Sequence, residues 1–416
     1  MKLISPHKFR EVAVGLPSSK SISNRVLVIN ALAGNAELPR NLSDCDDTRV
    51  MECWLRDMPE TVDVGAAGTA MRFSTALLSL TDGTHIITGS ARMKQRPISV
   101  LVDSLRQLGA NIDYLEKAGY PPLRITGAGA LKGGMLKLKG NVSSQFVSAL
   151  LMIGPYMESG LQLHLTDRII SRPYIDMTLS IMNEFGADAK WLTDDTLGVV
   201  PCKYVKRDYC VESDWSAASY WYEILMLADG MERIRLNGLY EHSLQGDSAV
   251  AKIFESFGIN TRFVEEDGMP VAVLTKQRIS LKTFEYDFVN QPDIVQTMAV
   301  TCCMMDIPFH FYGLASLKIK ETDRLLALVA ELAKMGFEVE ERNGSELVWD
   351  GNRRILTEQE RQHLSIDTYD DHRMAMSFAP AALKLGTLTI NNPHVVSKSY
   401  PNFWNDLASL GFIFNK

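Results

Sequence analysis

Five amphipathic segments of this chain end in a glycine, and the five glycines are almost evenly spaced. A glycine just past the last helical turn is the usual left-handed cap of an α-helix. An extended apolar run follows each glycine, and successive glycines lie 72 to 78 residues apart: Gly109, Gly186, Gly258, Gly336 and Gly411. This regularity predicts a duplicated α/β unit with one such helix in each copy.

A second helix in each unit is predicted to begin at small or polar residues. These helix starts lie near Ser21, Gly68, Ser144, Ser216, Pro292 and Asp371. The first interval is 47 residues, whereas the others are 72 to 79 residues, so the first unit is short by roughly one hairpin. We predict that this unit is truncated between about Thr48 and Asp63.

Strand-like segments with alternating or β-branched residues lie between the predicted helices, for example at residues 84–88, 161–165 and 387–390. Because strands and helices alternate along the chain, the predicted fold class is α/β. Six units divide naturally into three and three. This division predicts an N-terminal domain of residues 18–212 and a C-terminal domain of residues 213–416, which the segment 1–17 completes.

The composition argues against several classes of protein. The net charge is −7, whereas a nucleic-acid-binding protein normally carries a basic surface. The longest apolar runs are far shorter than the roughly 20 residues of a membrane span, and the first residues show no apolar core of signal-peptide length. We therefore expect a cytoplasmic protein with no nucleic-acid or membrane partner, and we expect a monomer.

The common signatures of bound metals and nucleotides are also missing from the sequence. The six cysteines show no C-x-x-C spacing, and the eight histidines include no H-x-x-x-H pair. Neither G-x-x-x-x-G-K-[ST] nor G-x-G-x-x-G stands between a predicted strand and a predicted helix. The sequence predicts buried, reduced thiols and no metal or cofactor.

The helix start at residues 65–72 has the composition of an anion site. Gly65, Ala66, Ala67 and Gly68 form a short loop that leads directly into an apolar helical pattern. The first amides of a helix lack internal partners and lie at the positive end of its dipole, and glycine lets a ligand approach the backbone. A phosphate or carboxylate fits this position, while plain packing or a turn is the alternative.

Four other polar stretches in the first half of the chain could hold an oxygen-rich anion. They contain Lys20, Ser21 and Arg25; Arg92, Lys94 and Arg96; Ser143, Ser144 and Gln145; and Ser171 with Tyr174. The alternatives are structural: N-cap serines, solvent-exposed cations, or an Arg-Pro turn with a half-buried tyrosine.

Ionisable residues are concentrated at helix starts in the second half. Asp293 places a carboxylate at such a start, where an N-cap role is the alternative. Lys320, Glu321 and Arg324 are spaced so that they can surround one region rather than form a single stripe, with surface ion pairing as the alternative. Two later stretches add one cation each: Arg373 and Lys398.

Three motifs carry a resemblance to a known family: residues 68–72 (GTAMR), 320–324 (KETDR) and 371–376 (DHRMAM). They resemble motifs of the EPSP synthases, a family of enolpyruvyl transferases, and further similar stretches follow in the family's order along nearly the whole chain. The resemblance implies an enolpyruvyl-transferase fold of two domains with three βαβαββ units each. That number agrees with the six units counted from the spacing.

The family transfers the carboxyvinyl group of phosphoenolpyruvate to the 5-hydroxyl of shikimate 3-phosphate by addition and elimination, in the shikimate pathway to aromatic amino acids. The resemblance implies that shikimate 3-phosphate contacts Lys20, Ser21, Arg25, Ser143, Ser144, Gln145, Ser171, Tyr174, Asp293 and Lys320. It implies that phosphoenolpyruvate contacts Lys20, Gly68, Arg96, Gln145, Arg324, Arg373 and Lys398. It also implies acid–base roles for Asp293 and Glu321, with Lys20 assisting.

Three positions depart from the family's usual motifs. Ser18 replaces a glycine, a mild change if the backbone angle there is ordinary. Ala66 replaces an asparagine, so an amide side chain near phosphoenolpyruvate is absent. Ser316 replaces an asparagine that normally contacts shikimate 3-phosphate, and its shorter hydroxyl would need a water bridge.

Two alternatives remain open at this point. UDP-N-acetylglucosamine 1-carboxyvinyltransferases share the architecture and the donor, but they usually carry a reactive cysteine on a mobile loop of the first domain. This chain has no cysteine between Cys53 and Cys202. A non-catalytic anion-binding protein is the second alternative, and the carboxylates Asp293 and Glu321 among the cations favour an enzyme over it.

Overall fold

The computed structural model describes residues 1–6, 8–9, 13–278 and 280–415 of the chain. Residues 7, 10–12, 279 and 416 fall within the predicted domain ranges but lie outside the described residues. The described α-helices are α1 (Lys20–Leu32), α2 (Asp46–Asp57), α3 (Gly68–Leu78), α4 (Ser99–Gln107), α5 (Ser144–Ile153), α6 (Arg172–Glu184), α7 (Trp215–Leu227), α8 (Val250–Glu255), α9 (Val295–Met304), α10 (Arg324–Lys334), α11 (Glu358–Gln362), α12 (His372–Phe378), α13 (Ala382–Leu385) and α14 (Phe403–Leu410).

The described strands are β1 (Lys2–Ile4), β2 (Ala13–Gly15), β3 (Thr61–Asp63), β4 (Gly83–Thr88), β5 (Asn111–Tyr114), β6 (Leu123–Gly127), β7 (Gly134–Lys139), β8 (Leu161–Thr166), β9 (Ala189–Trp191), β10 (Thr196–Val199), β11 (Arg233–Asn237), β12 (Ile259–Glu266), β13 (Met269–Lys276), β14 (Phe284–Asp287), β15 (Phe309–Tyr312), β16 (Glu340–Arg342), β17 (Glu346–Trp349), β18 (Ser365–Ile366), β19 (Thr387–Ile390) and β20 (Ile413–Asn415).

The strands form five four-stranded sheets that share one pairing pattern. In the sheet β3-β4-β6-β5, the first two strands are parallel, and each later neighbour is antiparallel. The other sheets repeat this pattern, and β1 and β2 each complete one of them: β7-β8-β10-β9, β2-β11-β13-β12, β14-β15-β17-β16 and β18-β19-β1-β20. The alternating strands and helices confirm the α/β fold class and the repeated unit.

The first unit is reduced to α1 and α2 in the part of the chain that the structure describes. After α2 ends at Asp57, the chain continues directly into β3, which begins at Thr61 and belongs to the next sheet. In the other units, two more strands follow the second helix. The last unit is the exception, because only β20 follows α14 and β1 supplies the other strand. The missing hairpin explains the short first interval, and the prediction of a truncated first unit is confirmed.

The five repeat glycines adopt the backbone conformation that the sequence predicted. Their φ angles lie between 85° and 115°, a region that residues with a Cβ rarely occupy. Gly411, for example, is the left-handed cap of α14. The glycines therefore end the helices and turn the chain into the next strand.

The chain divides into two compact units, Ser18–Val211 and Met1–Pro17 with Glu212–Lys416. In the first, α1, α3 and α5 pack against one another, and most of their residues are buried. In the second, α9 packs against both α7 and α12, which are also buried. Except for α7, these buried helices begin at or near predicted binding residues.

The six cysteines form no disulfide, but they are not all buried. Cys45, Cys302 and Cys303 lie in the interior, as predicted. The prediction is wrong for Cys53 and Cys210, which are exposed. Cys53 lies on the solvent side of α2, which a scan for metal or disulfide spacing cannot reveal. No described helix is long and apolar enough to cross a membrane.

Glu223 is an unusual residue in the interior of α7. Its side chain is completely buried, and neither carboxylate oxygen has a hydrogen-bond partner among the described residues. Burial alone raises the pKa of Glu223 well above its usual value, because the charged form has no compensation there. The folded protein therefore holds Glu223 in its neutral form.

This burial predicts a pH-dependent effect of the Glu223→Gln substitution on stability. Above pH of about 4.3, the unfolded chain releases the Glu223 proton while the folded chain keeps it, so stability falls as pH rises. Glutamine removes this dependence. Between pH 5 and pH 8, we expect the free energy of unfolding of the variant to rise relative to that of the wild-type protein. The rise should be up to about 1.4 kcal/mol per pH unit.

Denaturant unfolding of both proteins at several pH values measures the difference. Glu241→Gln, at an exposed glutamate, is the matched control and should follow the wild type. Parallel pH dependences of the wild type and Glu223→Gln would show that Glu223 is not held neutral in the fold.

Candidate active site

The first turn of α3 contacts two buried arginines. Its N-cap residue, Ala67, makes no side-chain cap bond, so the first helical amides remain for a ligand. A Cβ placed on Gly68 would lie 2.6 Å from Nη1 of Arg96 and 2.9 Å from Nη1 of Arg72. Arg72 also donates to the Gly68 carbonyl at 2.9 Å. Helix amides and two guanidinium groups therefore converge at Gly68.

Gln145 joins this cluster from the start of α5. Its Nε2 donates to Oγ1 of Thr69 at 3.0 Å. Ser143 caps α5 and accepts from the backbone amide of Gln145 at 3.4 Å, and Ser144, the first helical residue, is buried. Two helix starts that the sequence identified separately thus lie together.

Arg25 is a buried cation on α1. Its Nε donates to Oγ1 of Thr178 at 2.8 Å, and its Nη1 donates to the Ser21 carbonyl at 2.8 Å. Its Nη2 donates to Oγ of Ser148 at 3.1 Å and to the Tyr174 carbonyl at 3.3 Å. All four acceptors are neutral groups, and burial lowers the pKa of Arg25 to about 10. Its positive charge is therefore not balanced by a carboxylate within the described residues of its unit.

Lys20 and Ser171 lie at the starts of two further helices in this unit. Lys20 is the first residue of α1, and its Nζ lies 3.4 Å from Oδ2 of Asp47. Ser171 precedes α6 with a φ of 54°, and its hydroxyl makes no cap bond to the helix. Such a backbone conformation is costly for a residue other than glycine, and it often marks a functional site.

Lys94, from one of the polar stretches, and Arg172, from the Arg-Pro turn, contact partners outside these clusters. Lys94 donates to Oε1 of Glu116 at 2.7 Å, and both side chains are solvent-accessible. The guanidinium of Arg172 lies 3.9 Å from the ring centroid of Trp191. The structural alternatives account for these two residues.

The second unit has a charge cluster centred on Asp293. This residue lies in a short 3₁₀ turn before α9 and does not cap the helix, so the N-cap alternative is wrong. Its Oδ1 accepts from Nη1 of Arg324 at 3.1 Å and lies 3.8 Å from Nζ of Lys320. Its Oδ2 lies 3.1 Å from Nη2 of Arg373. One carboxylate therefore contacts three cations.

The cations decide the protonation of Asp293. Burial raises the pKa of Asp293, but the charges of Arg373, Lys320 and Arg324 outweigh burial and hold it well below its usual range. Burial in turn lowers the pKa of Lys320, although Asp293 opposes this. Asp293 is therefore ionised at neutral pH.

Arg324 links three carboxylates and is only 1% exposed. Besides Asp293, it donates from Nη2 to Oε2 of Glu321 at 3.0 Å and from Nε to Oδ2 of Asp371 at 2.7 Å. Burial lowers the pKa of Arg324, but Asp371, Glu321 and Asp293 together raise it above its usual value. Lys320, Glu321 and Arg324 thus surround one region, as predicted, and surface ion pairing is wrong for Arg324.

Arg373 and Lys398 meet at the start of α12. Arg373 donates from Nη1 to the Asp293 carbonyl at 2.9 Å. Lys398 donates from Nζ to the Asp370 carbonyl at 2.6 Å, one residue before the N-cap of α12. The cations of the last two polar stretches, Arg373 and Lys398, therefore both lie near the start of α12.

Two of the three positions that differ from the family's usual motifs lie next to these clusters along the chain. Ala66 is half-buried in the turn that precedes α3, and Ser316 is half-buried in the 3₁₀ turn Ala315–Ile319. Ser18 is not among the described residues with a positive φ, so serine meets no backbone strain there. The backbone angle at Ser18 is ordinary, so the replacement of glycine by serine there is mild.

The sequence interpretation overlooked Arg72 and Asp371 as parts of the site. Arg72 stands four residues after Gly68, and side chains on a helix point back toward its amino terminus, so this spacing places Arg72 over the first turn. Asp371 was identified only as a helix start. Its second role, the contact with Arg324, joins residues 47 positions apart and leaves no local signal.

The family model described as EPSP synthase (3-phosphoshikimate 1-carboxyvinyltransferase) matches residues 57–407. A 3-phosphoshikimate 1-carboxyvinyltransferase of Bacteroides fragilis is 51% identical over 410 residues, covering 99% of this chain and 98% of that protein. One of a Sulfurovum species is 36% identical, covering 98% of each.

Two solved structures have a similar fold. The EPSP synthase of Acinetobacter baumannii matches with a TM-score of 0.77 at 22% identity, covering 100% of this chain and 99% of that one. The enolpyruvyl transferase NikO of Streptomyces tendae matches with a TM-score of 0.70 at 15% identity, covering 99% and 97%. With the family model spanning most of its length and its relatives covering nearly all of it, the chain belongs to the EPSP synthase family.

Proposed function

We propose that this chain transfers the carboxyvinyl group of phosphoenolpyruvate to the 5-hydroxyl of shikimate 3-phosphate. The products are 5-enolpyruvylshikimate 3-phosphate and phosphate, in the shikimate pathway to aromatic amino acids. Membership of the EPSP synthase family supports this function. The cluster of Asp293 and Glu321 among three cations is the observation that carries it, because anion binding and proton transfer are needed in one place.

The proposed contacts of shikimate 3-phosphate follow the charge distribution. Arg25 has a buried positive charge with neutral acceptors only, which suits the phosphate of an incoming ligand. The strained Ser171 leaves its hydroxyl without a cap bond to the helix. The full proposed set is Lys20, Ser21, Arg25, Ser143, Ser144, Gln145, Ser171, Tyr174, Asp293 and Lys320.

Phosphoenolpyruvate is proposed to bind cations that lie at helix starts in each of the two units. Gly68 offers uncapped helical amides beside Arg96, and Gln145 is hydrogen-bonded to the next residue along. Arg324 and Arg373 present fixed guanidinium groups that match carboxylate or phosphate oxygens. The full proposed set is Lys20, Gly68, Arg96, Gln145, Arg324, Arg373 and Lys398.

Asp293 and Glu321 are the proposed acid–base residues, with Lys20 assisting. One proton must leave the attacking hydroxyl and one must reach the vinyl carbon, and elimination requires the reverse transfers. In the free protein the cations make Asp293 a weak base. When an anionic substrate takes over part of their charge, the basicity of Asp293 rises, so substrate binding itself prepares the base.

The cations also explain how phosphate can leave without a further charged group. Negative charge builds up on the leaving phosphate during elimination, and buried arginines and lysines stabilise it more strongly than water would. The cytoplasmic location, the monomeric state, the absence of a nucleic-acid partner and the division into domains of three units each stay predictions.

Phosphate release should require both substrates. We expect purified protein to release phosphate from phosphoenolpyruvate only when shikimate 3-phosphate is present, because the hydroxyl of the second substrate begins the reaction. A continuous phosphate assay with each substrate alone supplies the controls. Turnover with UDP-N-acetylglucosamine would instead favour the alternative enzyme, and no turnover above the protein-free rate would refute the proposal.

Gly68→Ala should weaken the reaction with phosphoenolpyruvate and barely change stability. The new methyl group meets the ends of Arg96 and Arg72, which can move aside but then leave their positions. We expect kcat/KM for phosphoenolpyruvate to fall by about 10- to 100-fold. Gly15→Ala is the control, because no atom lies within 4 Å of its added methyl; equal effects of both variants on phosphoenolpyruvate would contradict the placement.

Glu321→Gln should slow turnover and leave substrate binding largely intact. Glutamine can still accept from Arg324, but it cannot exchange a proton at neutral pH, so we expect kcat to fall by about 10²- to 10⁴-fold. Glu340→Gln is the control, because Glu340 is an exposed glutamate that also accepts from an arginine. If Glu321→Gln retains the wild-type kcat, Glu321 has no part in proton transfer.

A further inference from the structure

Asp371 connects two arginines that lie on different helices. It is the N-cap residue of α12, and it is completely buried. Its Oδ1 accepts from the backbone amide of Arg373 at 2.9 Å and from Nη2 of Arg324 at 3.3 Å. Its Oδ2 accepts from Nε of Arg324 at 2.7 Å. One carboxylate thus fixes the side chain of one arginine and the backbone of the other.

The two arginines also share a second carboxylate, that of Asp293. Arg324 donates to Oδ1 of Asp293 at 3.1 Å, while Arg373 lies 3.1 Å from its Oδ2. The four residues therefore form a closed ring of contacts. Asp293 contacts both guanidinium groups, whereas Asp371 contacts the guanidinium of Arg324 and the backbone amide of Arg373. Because Arg324, Asp371 and Arg373 are buried and Asp293 is largely shielded from solvent, these contacts are worth more than the same contacts in water.

We propose that Asp371 is a positioning residue that holds Arg324 and Arg373 in one fixed arrangement for the substrate anion. This inference rests on the proposed function, in which both arginines bind phosphoenolpyruvate. Asp371 acts through them and touches neither substrate. Its two-point contact with Arg324 sets the plane of that guanidinium, and the plane determines which donors face a ligand.

Asparagine separates this role from simple capping. Asn caps a helix about as well as Asp, so Asp371→Asn keeps an acceptor for the Arg373 amide. It removes the charge and presents an amide group to Arg324 in place of one oxygen. A purely structural role should therefore survive the substitution, whereas a positioning role should not.

The test compares Asp371→Asn with Asp323→Asn in steady-state assays of the full-length protein. Asp323 caps α10, and within the described part of the chain its carboxylate accepts only from the Leu326 amide. For Asp371→Asn we expect the KM for phosphoenolpyruvate to rise by about 10- to 100-fold, as for the loss of a charged hydrogen bond. The KM for shikimate 3-phosphate should stay within about threefold. For Asp323→Asn both constants should stay within about twofold.

Measuring Asp371→Asn in an Arg324→Lys variant distinguishes a positioning role from a general disturbance of the fold. Lysine cannot donate two parallel hydrogen bonds to one carboxylate, so Arg324→Lys already abolishes the two-point contact. In that background, adding Asp371→Asn should change the KM for phosphoenolpyruvate by less than about threefold. The same factor in both backgrounds would overturn the inference. If Asp371→Asn does not fold, Asp371→Ser, which keeps a cap, is measured in its place.

The results for the wild-type protein and for Asp371→Asn test the proposed function and the role of Asp371 separately. Absence of turnover by the wild-type protein would overturn the proposed function and the inference with it. Wild-type turnover together with an unchanged KM for phosphoenolpyruvate in Asp371→Asn would overturn the inference alone.

Discussion

The burial of Arg324 among Asp293, Glu321 and Asp371 is the interaction on which the second unit depends. Removing a guanidinium from water is costly, and here three well-placed carboxylates offset that cost. These carboxylates come from three separate helix starts along the chain. The arginine can therefore be buried only when those helix starts are brought to one place, and that arrangement is also what anion binding and proton transfer require.

The two units solve the problem of a buried cation differently. Arg324 is balanced by carboxylates, whereas the acceptors of Arg25 are hydroxyls and carbonyls. A cation balanced by carboxylates serves to orient and to adjust the basicity of its partners. A cation held by neutral groups keeps its charge for a ligand phosphate. In the proposed reaction both properties are needed, because two anions must be held close together while protons are transferred.

The repeat made most of the fold predictable from the sequence. The spacing from Gly109 to Gly411 indicated the repeat, the six helix starts indicated the number of units, and the short first interval indicated a missing hairpin. These signals work because a helix that ends in a left-handed glycine is determined locally. By contrast, which of several polar residues are buried depends on distant parts of the chain: Arg96 is buried while Lys94, two residues earlier, pairs with Glu116 at the surface.

The proposed reaction breaks a carbon–oxygen bond of phosphoenolpyruvate, since it transfers the carboxyvinyl group and not the phosphoryl group. Phosphoenolpyruvate labelled with ¹⁸O in the bridging position, incubated with the protein and shikimate 3-phosphate, tests this most directly by mass spectrometry. We expect the label to leave with inorganic phosphate and the product to gain the unlabelled carboxyvinyl group. Label found in pyruvate, or a product that has gained a second phosphate, would contradict the proposed reaction.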